Sequence, residues 1–161
     1  MDQALNERWN NACRPFDGVT LDFEESLNEA MGEQLVPWLI EELDRRIVLA
    51  TTLLINEDWH IHDGFILESA EITKDRLLVE LRSQPEKWFR VINYQVYWGI
   101  YDASYRYYLR FGHDEDEPII NLDVTGSEQI VWELADAVYS EFGVIGKVES
   151  AKGFFDRLYG G

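Results

Sequence analysis

Hydrophobic and polar residues follow two different periods along this chain. Between Trp88 and Phe111 the period is two, which in an extended strand sends successive side chains to opposite faces. From Trp88 one face reads Trp88, Arg90, Ile92, Tyr94, Val96, Trp98, and the other Phe89, Val91, Asn93, Gln95, Tyr97. The next run puts Tyr105, Tyr107, Leu109 and Phe111 on one face, with Arg106, Tyr108 and Arg110 on the other. Two antiparallel aromatic strands are predicted, reversing through Gly99 to Ser104, where Gly99, Asp102 and Ser104 suit a turn. One face is core. The other fits ordinary cross-strand pairing on a half-wet sheet, or a recognition surface, because Tyr and Arg are enriched where interfaces concentrate energy.

Upstream, Phe65–Ile72 and Arg76–Arg82 read as two more strands, the second with Leu77, Val79 and Leu81 alternating inward. Thr73-Lys74-Asp75 is the expected hairpin between them, and Gln84-Pro85-Glu86 leads into the aromatic pair. Links this short require antiparallel neighbours, since parallel pairing needs a crossover of about a dozen residues or more. Ile119–Val124 is a candidate fifth strand.

The helical period flanks this region. Residues 1–20 read as irregular, with Pro15 and Asp17-Gly18 as turn signals. A helix is expected to begin near Asp22 and to carry Glu25, Glu29 and Glu33 as a carboxylate rail at spacings of four. A second helix is expected with Pro37 in its first turn and Val36, Leu39, Ile40, Leu43, Ile47, Ala50 and Leu54 on one stripe. Its last part, RIVLATTLL, is also β-branched enough to be a strand. Thr125 and Glu128 match a capping box, followed by a buried stripe of Val131, Leu134, Ala135, Val138 and Phe142, with Gly143 as the stop. Ser150–Tyr159 reads as a last short helix. The expected architecture is therefore α+β: one domain over residues 1–161, a four- to five-stranded antiparallel β-meander, and N-terminal and C-terminal helices packed on it.

Charge sharpens this picture. The net charge of −17 divides into −9 over residues 1–58, zero over 59–112, and −8 over 113–161. The aromatic sheet is charge-balanced, and both helical flanks are acidic. Such a field repels nucleic-acid phosphates and anionic lipid and attracts basic partners, although an acidic surface also serves solubility alone. No apolar run approaches the ~20 residues of a membrane span, and the N-terminus does not read as a signal peptide. The lone Cys13 has no intramolecular disulfide partner, which points to a reducing, cytoplasmic setting.

Candidate chemistry is sparse. His60 and His62, two apart on an extended segment, could face one metal, with His113 or an acid of the 114–117 run as a distant third ligand. The further Glu and His of β-barrel metalloenzymes that carry an HxH strand are not found at the required spacings, so no metal or other cofactor is expected. Asp114, Glu115, Asp116 and Glu117 lack the spaced ligands and central Gly of a calcium loop. Glu80-Leu81-Arg82 lacks the Lys of the nuclease Glu-x-Lys element, and neither GxSxG nor GxxxxGK[ST] occurs.

The leading expectation is a non-enzymatic acidic binding protein that neutralises a basic protein partner, such as a toxin or nuclease. It would act in the manner of an immunity protein or inhibitor, or at the extreme as a nucleic-acid mimic. Glu25, Glu29, Glu33, Asp114, Glu115 and Asp116 would steer the partner, and Tyr97, Arg106, Tyr108 and Arg110 would anchor it. Direct nucleic-acid or membrane binding is not expected, and the sequence leaves the oligomeric state open. Secretion chaperones share the small size, low pI and α+β sheet, but usually place a helix between their third and fourth strands, where this reading has none. A third possibility is a small-ligand-binding or metal-dependent enzyme with a pocket between sheet and helix, using His60, His62 and inner tyrosines.

Overall fold

The computed structural model describes residues 18–23, 29–47, 52–59, 69–89, 96–101, 107–113 and 120–154. Its strands are β1 (Val19–Asp22), β2 (Thr52–Trp59), β3 (Ser69–Thr73), β4 (Val96–Tyr101), β5 (Tyr108–His113), β6 (Ile120–Gly126) and β7 (Lys147–Ser150). Its helices are α1 (Glu29–Ile47), α2 (Lys74–Ser83), α3 (Pro85–Phe89) and α4 (Glu128–Phe142). The strands form one sheet in the order β3-β2-β4-β5-β6-β1-β7, antiparallel at every pairing. An α+β fold built on an antiparallel sheet is thus what the chain adopts.

The sheet is wider than expected: β1, β2 and β7 join it, and β1 and β7 carry no local signal. β1 and β7 are four residues each, too short to show a period. Val19–Asp22, expected to be irregular chain running into a helix, is extended because β6 and β7 pair with it on either side. The meander expected from Phe65 to Phe111 is also interrupted. Arg76–Arg82 is not a strand but lies in α2, and Trp88 and Phe89 lie in α3.

Local chemistry explains α2. Thr73 caps it, its hydroxyl accepting from the Arg76 N–H at 3.4 Å, and Asp75 sits at the positive end of the helix. Arg76 pairs with Glu80 one turn on, at 3.1 Å. The buried residues are Leu77, Leu78 and Leu81, spaced one and four apart as on a helix face. Val79, expected in the core, is 65% exposed. The alternation of Leu77, Val79 and Leu81 was one of two periods present in the same seven residues, and the one with Leu78 in the core prevails.

Helix α1 joins two segments that the sequence reading keeps apart. It starts at Glu29, contains Pro37 in its interior rather than its first turn, and ends at Ile47. An interior Pro costs about 3 kcal/mol in an isolated helix. Here it sits among Leu35, Val36, Leu39, Ile40 and Leu43, all buried against the sheet, and that burial offsets the cost. Leu53 and Leu54, expected to continue the helix, belong to β2.

The helix layer covers one face of the sheet. Leu21, Ile100, Leu109, Phe111, Leu122 and Val124 from the strands, with Phe23 just past β1, meet residues of α1, α2, α3 and α4 in one core. Phe89 lies against Phe111 with ring centres 5.5 Å apart, and Trp38 of α1 meets Phe142 of α4 edge-on at 5.2 Å. The stripe of α4 is as expected: Val131, Leu134 and Val138 are buried, and Ala135 and Phe142 pack against the core. Its stop is Gly143, at φ +69°, whose N–H donates to the Tyr139 carbonyl at 2.9 Å. Its cap differs from the sequence reading: Ser127 accepts from the Ile130 N–H at 3.4 Å, and Thr125 is a buried β6 residue. Of the expected Ser150–Tyr159 helix, a turn at 151–154 is helical and the remainder lies outside the described residues.

The two readings of residues 76–82 separate in a mutant pair. Leu77→Ala should cost about 2–5 kcal/mol in urea denaturation, whereas Val79→Ala should stay within about 0.5 kcal/mol. Equal losses would restore the strand.

The start of α2 is also tied to α1 by charge. Lys74 Nζ lies 2.5 Å from Asp44 Oδ2, and this hydrogen bond raises the Lys74 pKa, with desolvation opposing and the charges of Asp44 and Asp75 adding. A raised cation pKa stabilises the fold fully below the unfolded lysine value of about 10.4, and the contribution is lost as pH rises through the higher folded value. Lys74→Met should therefore destabilise by about 0.2–1 kcal/mol at neutral pH. It should also flatten the fall in stability above pH ~10, read from melting curves across pH.

Candidate functional site

The second face of the sheet is polar where the first is apolar, and its centre is nevertheless buried. Strand register places Lys147, Asp22, Asp123, Arg110, Gly99 and Asn56 in one row across β7, β1, β6, β5, β4 and β2. Within that row Arg110 Nε and Nη2 donate to Asp123 Oδ2 at 2.9 and 2.8 Å. Both side chains are nearly inaccessible, at 7% and 1%. In the adjacent row Thr20 and Thr125 share a hydrogen bond of 2.7 Å between their hydroxyls, and both residues are fully buried.

The turn at 151–154 closes over this row. Its Ala151 N–H donates to the Gly18 carbonyl at 3.1 Å, and the buried Phe154 ring lies 5.9 Å from the Arg110 guanidinium carbon. A guanidinium held by a carboxylate on one side and a ring on the other is desolvated and compensated at once. Chemically this is a fastening, with its charges neutralised internally.

That placement removes Arg110 from the residues an arriving partner can reach, contrary to its expected role as an anchor. The side chain points to the polar face, as alternation predicted, but that face is covered at its centre. Tyr97 lies in β4 opposite Gly112, and Tyr108 in β5 opposite Tyr101 and Thr125. Glu29 is the first residue of α1, and Glu33 lies half-buried one turn on. Because α1 lies over the apolar face, the structure does not bring Glu33 and Arg110 together. His113 ends β5, opposite Val96 and Ile120. Glu25, Arg106, Asp114, Glu115, Asp116, His60 and His62 lie outside the described residues. Among the described residues no group of three His, Cys, Asp or Glu side chains is arranged to hold a metal, and no helix is long and apolar enough to cross a membrane.

The two acidic flanks do meet. Helices α1 and α4 lie side by side, through Trp38 and Phe142 and through Arg46 Nε and Glu133 Oε2 at 3.5 Å. Every base of α1 and α2 is ion-paired within the fold: Arg45 and Arg46 with Glu42, Lys74 with Asp44, Arg76 with Glu80, and Arg82 with Glu41.

Helix α4 also carries a surface that the sequence reading missed. It contains four acids, Glu128, Glu133, Asp136 and Glu141, and no Lys or Arg. Opposite its buried stripe, Trp132 is 48% and Tyr139 58% exposed. Glu128, Trp132, Asp136 and Tyr139 follow one another at spacings of four, four and three, so acid and aromatic alternate along one outward stripe. That spacing was readable once the buried stripe was drawn, because what remains on such a helix faces water.

The chain matches no protein-family model, and no curated protein or solved structure is significantly similar to it.

The buried ion pair gives the site its test. Asp123→Ala leaves a desolvated guanidinium and should cost about 3–5 kcal/mol, while Arg110→Met combined with Asp123→Leu should recover much of that loss. Urea denaturation of the single and double variants checks it. A mild single-variant loss would mean that solvent reaches the pair.

Proposed function

We propose that the protein is a stoichiometric binding protein, without catalysis of its own, that neutralises a basic protein partner. A cytoplasmic immunity protein or inhibitor directed at a toxin or nuclease fits this description. The observation that carries the reading is the adjacency of α1 and α4. The flanks of charge −9 and −8 contribute neighbouring helices to one side of the sheet, and the bases of α1 and α2 are occupied by internal partners. The outward field is therefore that of the remaining acids. Fields of this kind steer oppositely charged partners and raise association rates by roughly 10–1000-fold.

The test is kinetic. A partner captured from the source cell should be basic and folded. Its association rate with the immobilised protein should fall at least about tenfold between 20 and 200 mM salt, with dissociation changing little. An acidic partner, or binding indifferent to salt, would remove the reading.

One observation supports a second reading. Helices α2 and α3 lie between β3 and β4, the third and fourth of the described strands in chain order. The missing helix that counted against a secretion chaperone is thus not missing. On that reading the captured partner is an unfolded segment of an effector, which hydrogen exchange on the complex distinguishes from a folded toxin.

A further inference from the structure

The alternation of acid and aromatic on α4 has a more specific use than steering. Each exposed ring has a carboxylate one turn away on the same stripe: Trp132 stands between Glu128 and Asp136, and Tyr139 follows Asp136. A cation laid on the face of an indole or phenol gains from the ring quadrupole, and an adjacent carboxylate adds a charge-assisted hydrogen bond. Two such places occur on one helix, seven residues apart, which is about 10 Å along the axis. With no base in α4, nothing on the helix competes for them.

The spacing selects the conformation of what binds. Two cations on the same face of an extended strand lie about 6.6 or 13 Å apart, at separations of two or four residues. Two cations seven residues apart on a helix lie about 10 Å apart on one face, and match. We infer that the outward stripe of α4 is the docking surface for a cationic helix of the protein partner, with Arg or Lys at i and i+7 seated on Trp132 and Tyr139. This rests on the proposed binding of a basic partner and names the surface and the recognition element. Trp and Tyr here supply the anchoring contacts, as such residues do at interface centres, and the acids supply orientation.

The experiment uses the full chain and two synthetic helical peptides of identical composition, one with Arg at i and i+7 and one with Arg at i and i+5, which fall on different faces. Fluorescence anisotropy should show the first bound at least about tenfold more tightly. Trp132→Ala with Tyr139→Ala should abolish that preference while leaving the melting temperature within a few degrees, since both side chains are exposed. Glu128→Gln with Asp136→Asn should weaken the i,i+7 peptide more than Asp75→Asn with Glu86→Gln, a remote exposed pair that removes the same charge. If both peptides bind alike, or if the two charge-removing pairs act alike, the stripe is not the docking surface, although attraction of basic partners stands. If neither peptide binds at low salt, the proposed function fails with it.

Discussion

The register of three central strands decides almost everything else in this fold. A slip of one residue between β5 and β6 would turn either Leu109 and Phe111 or Leu122 and Val124 away from the helices and bring Arg110 or Asp123 into the apolar core. The Arg110–Asp123 pair makes that slip costly, because its two charges satisfy each other only in the observed register. The hydroxyls of Thr20 and Thr125 fix β1 against β6 in the same way. Apolar residues would hold these strands together as firmly, but they would not discriminate between registers.

The arrangement of charge follows from the division of faces. Bases in the helix layer tie turns and neighbouring helices together, and Arg46 reaches both Glu42 of its own helix and Glu133 of α4. Each internal pair neutralises one base against one acid, so the charge left over in a chain with more than twice as many acids as bases is that of the unpaired acids. The acidic side and the polar buried face are separate features, one directed at solvent and one at the sheet itself.

How far the sequence disclosed this depends on how local each signal was. Helix α4, its buried stripe and its Gly143 stop are legible, since every determinant lies within a few residues. The strands β5 and β6 are legible for the same reason, and so is the outward direction of Arg110 relative to Leu109 and Phe111. Residues 76–82 were misread because Leu77, Leu78, Val79 and Leu81 satisfy two periods, and the deciding facts are the Thr73 cap and contact with α1. The strands β1 and β7 were invisible because their conformation is imposed by partners far away in sequence. The role of Arg110 was misjudged because alternation tells which face a side chain takes, and says nothing of what covers that face.

The place of β1 sets an order on how the chain can assemble. It lies between β6 and β7, and Thr20 meets a residue 105 positions later. During synthesis β1 has neither neighbour until about a hundred further residues have emerged. Closing a loop of that length carries its entropy cost before any contact repays it, and topologies rich in such distant pairings fold slowly. The hairpin of β2 with β3 and the run from β4 to β6 need no such wait. The middle of the sheet can therefore pair locally, whereas β1 takes its seat only once β6 and β7 are there to flank it.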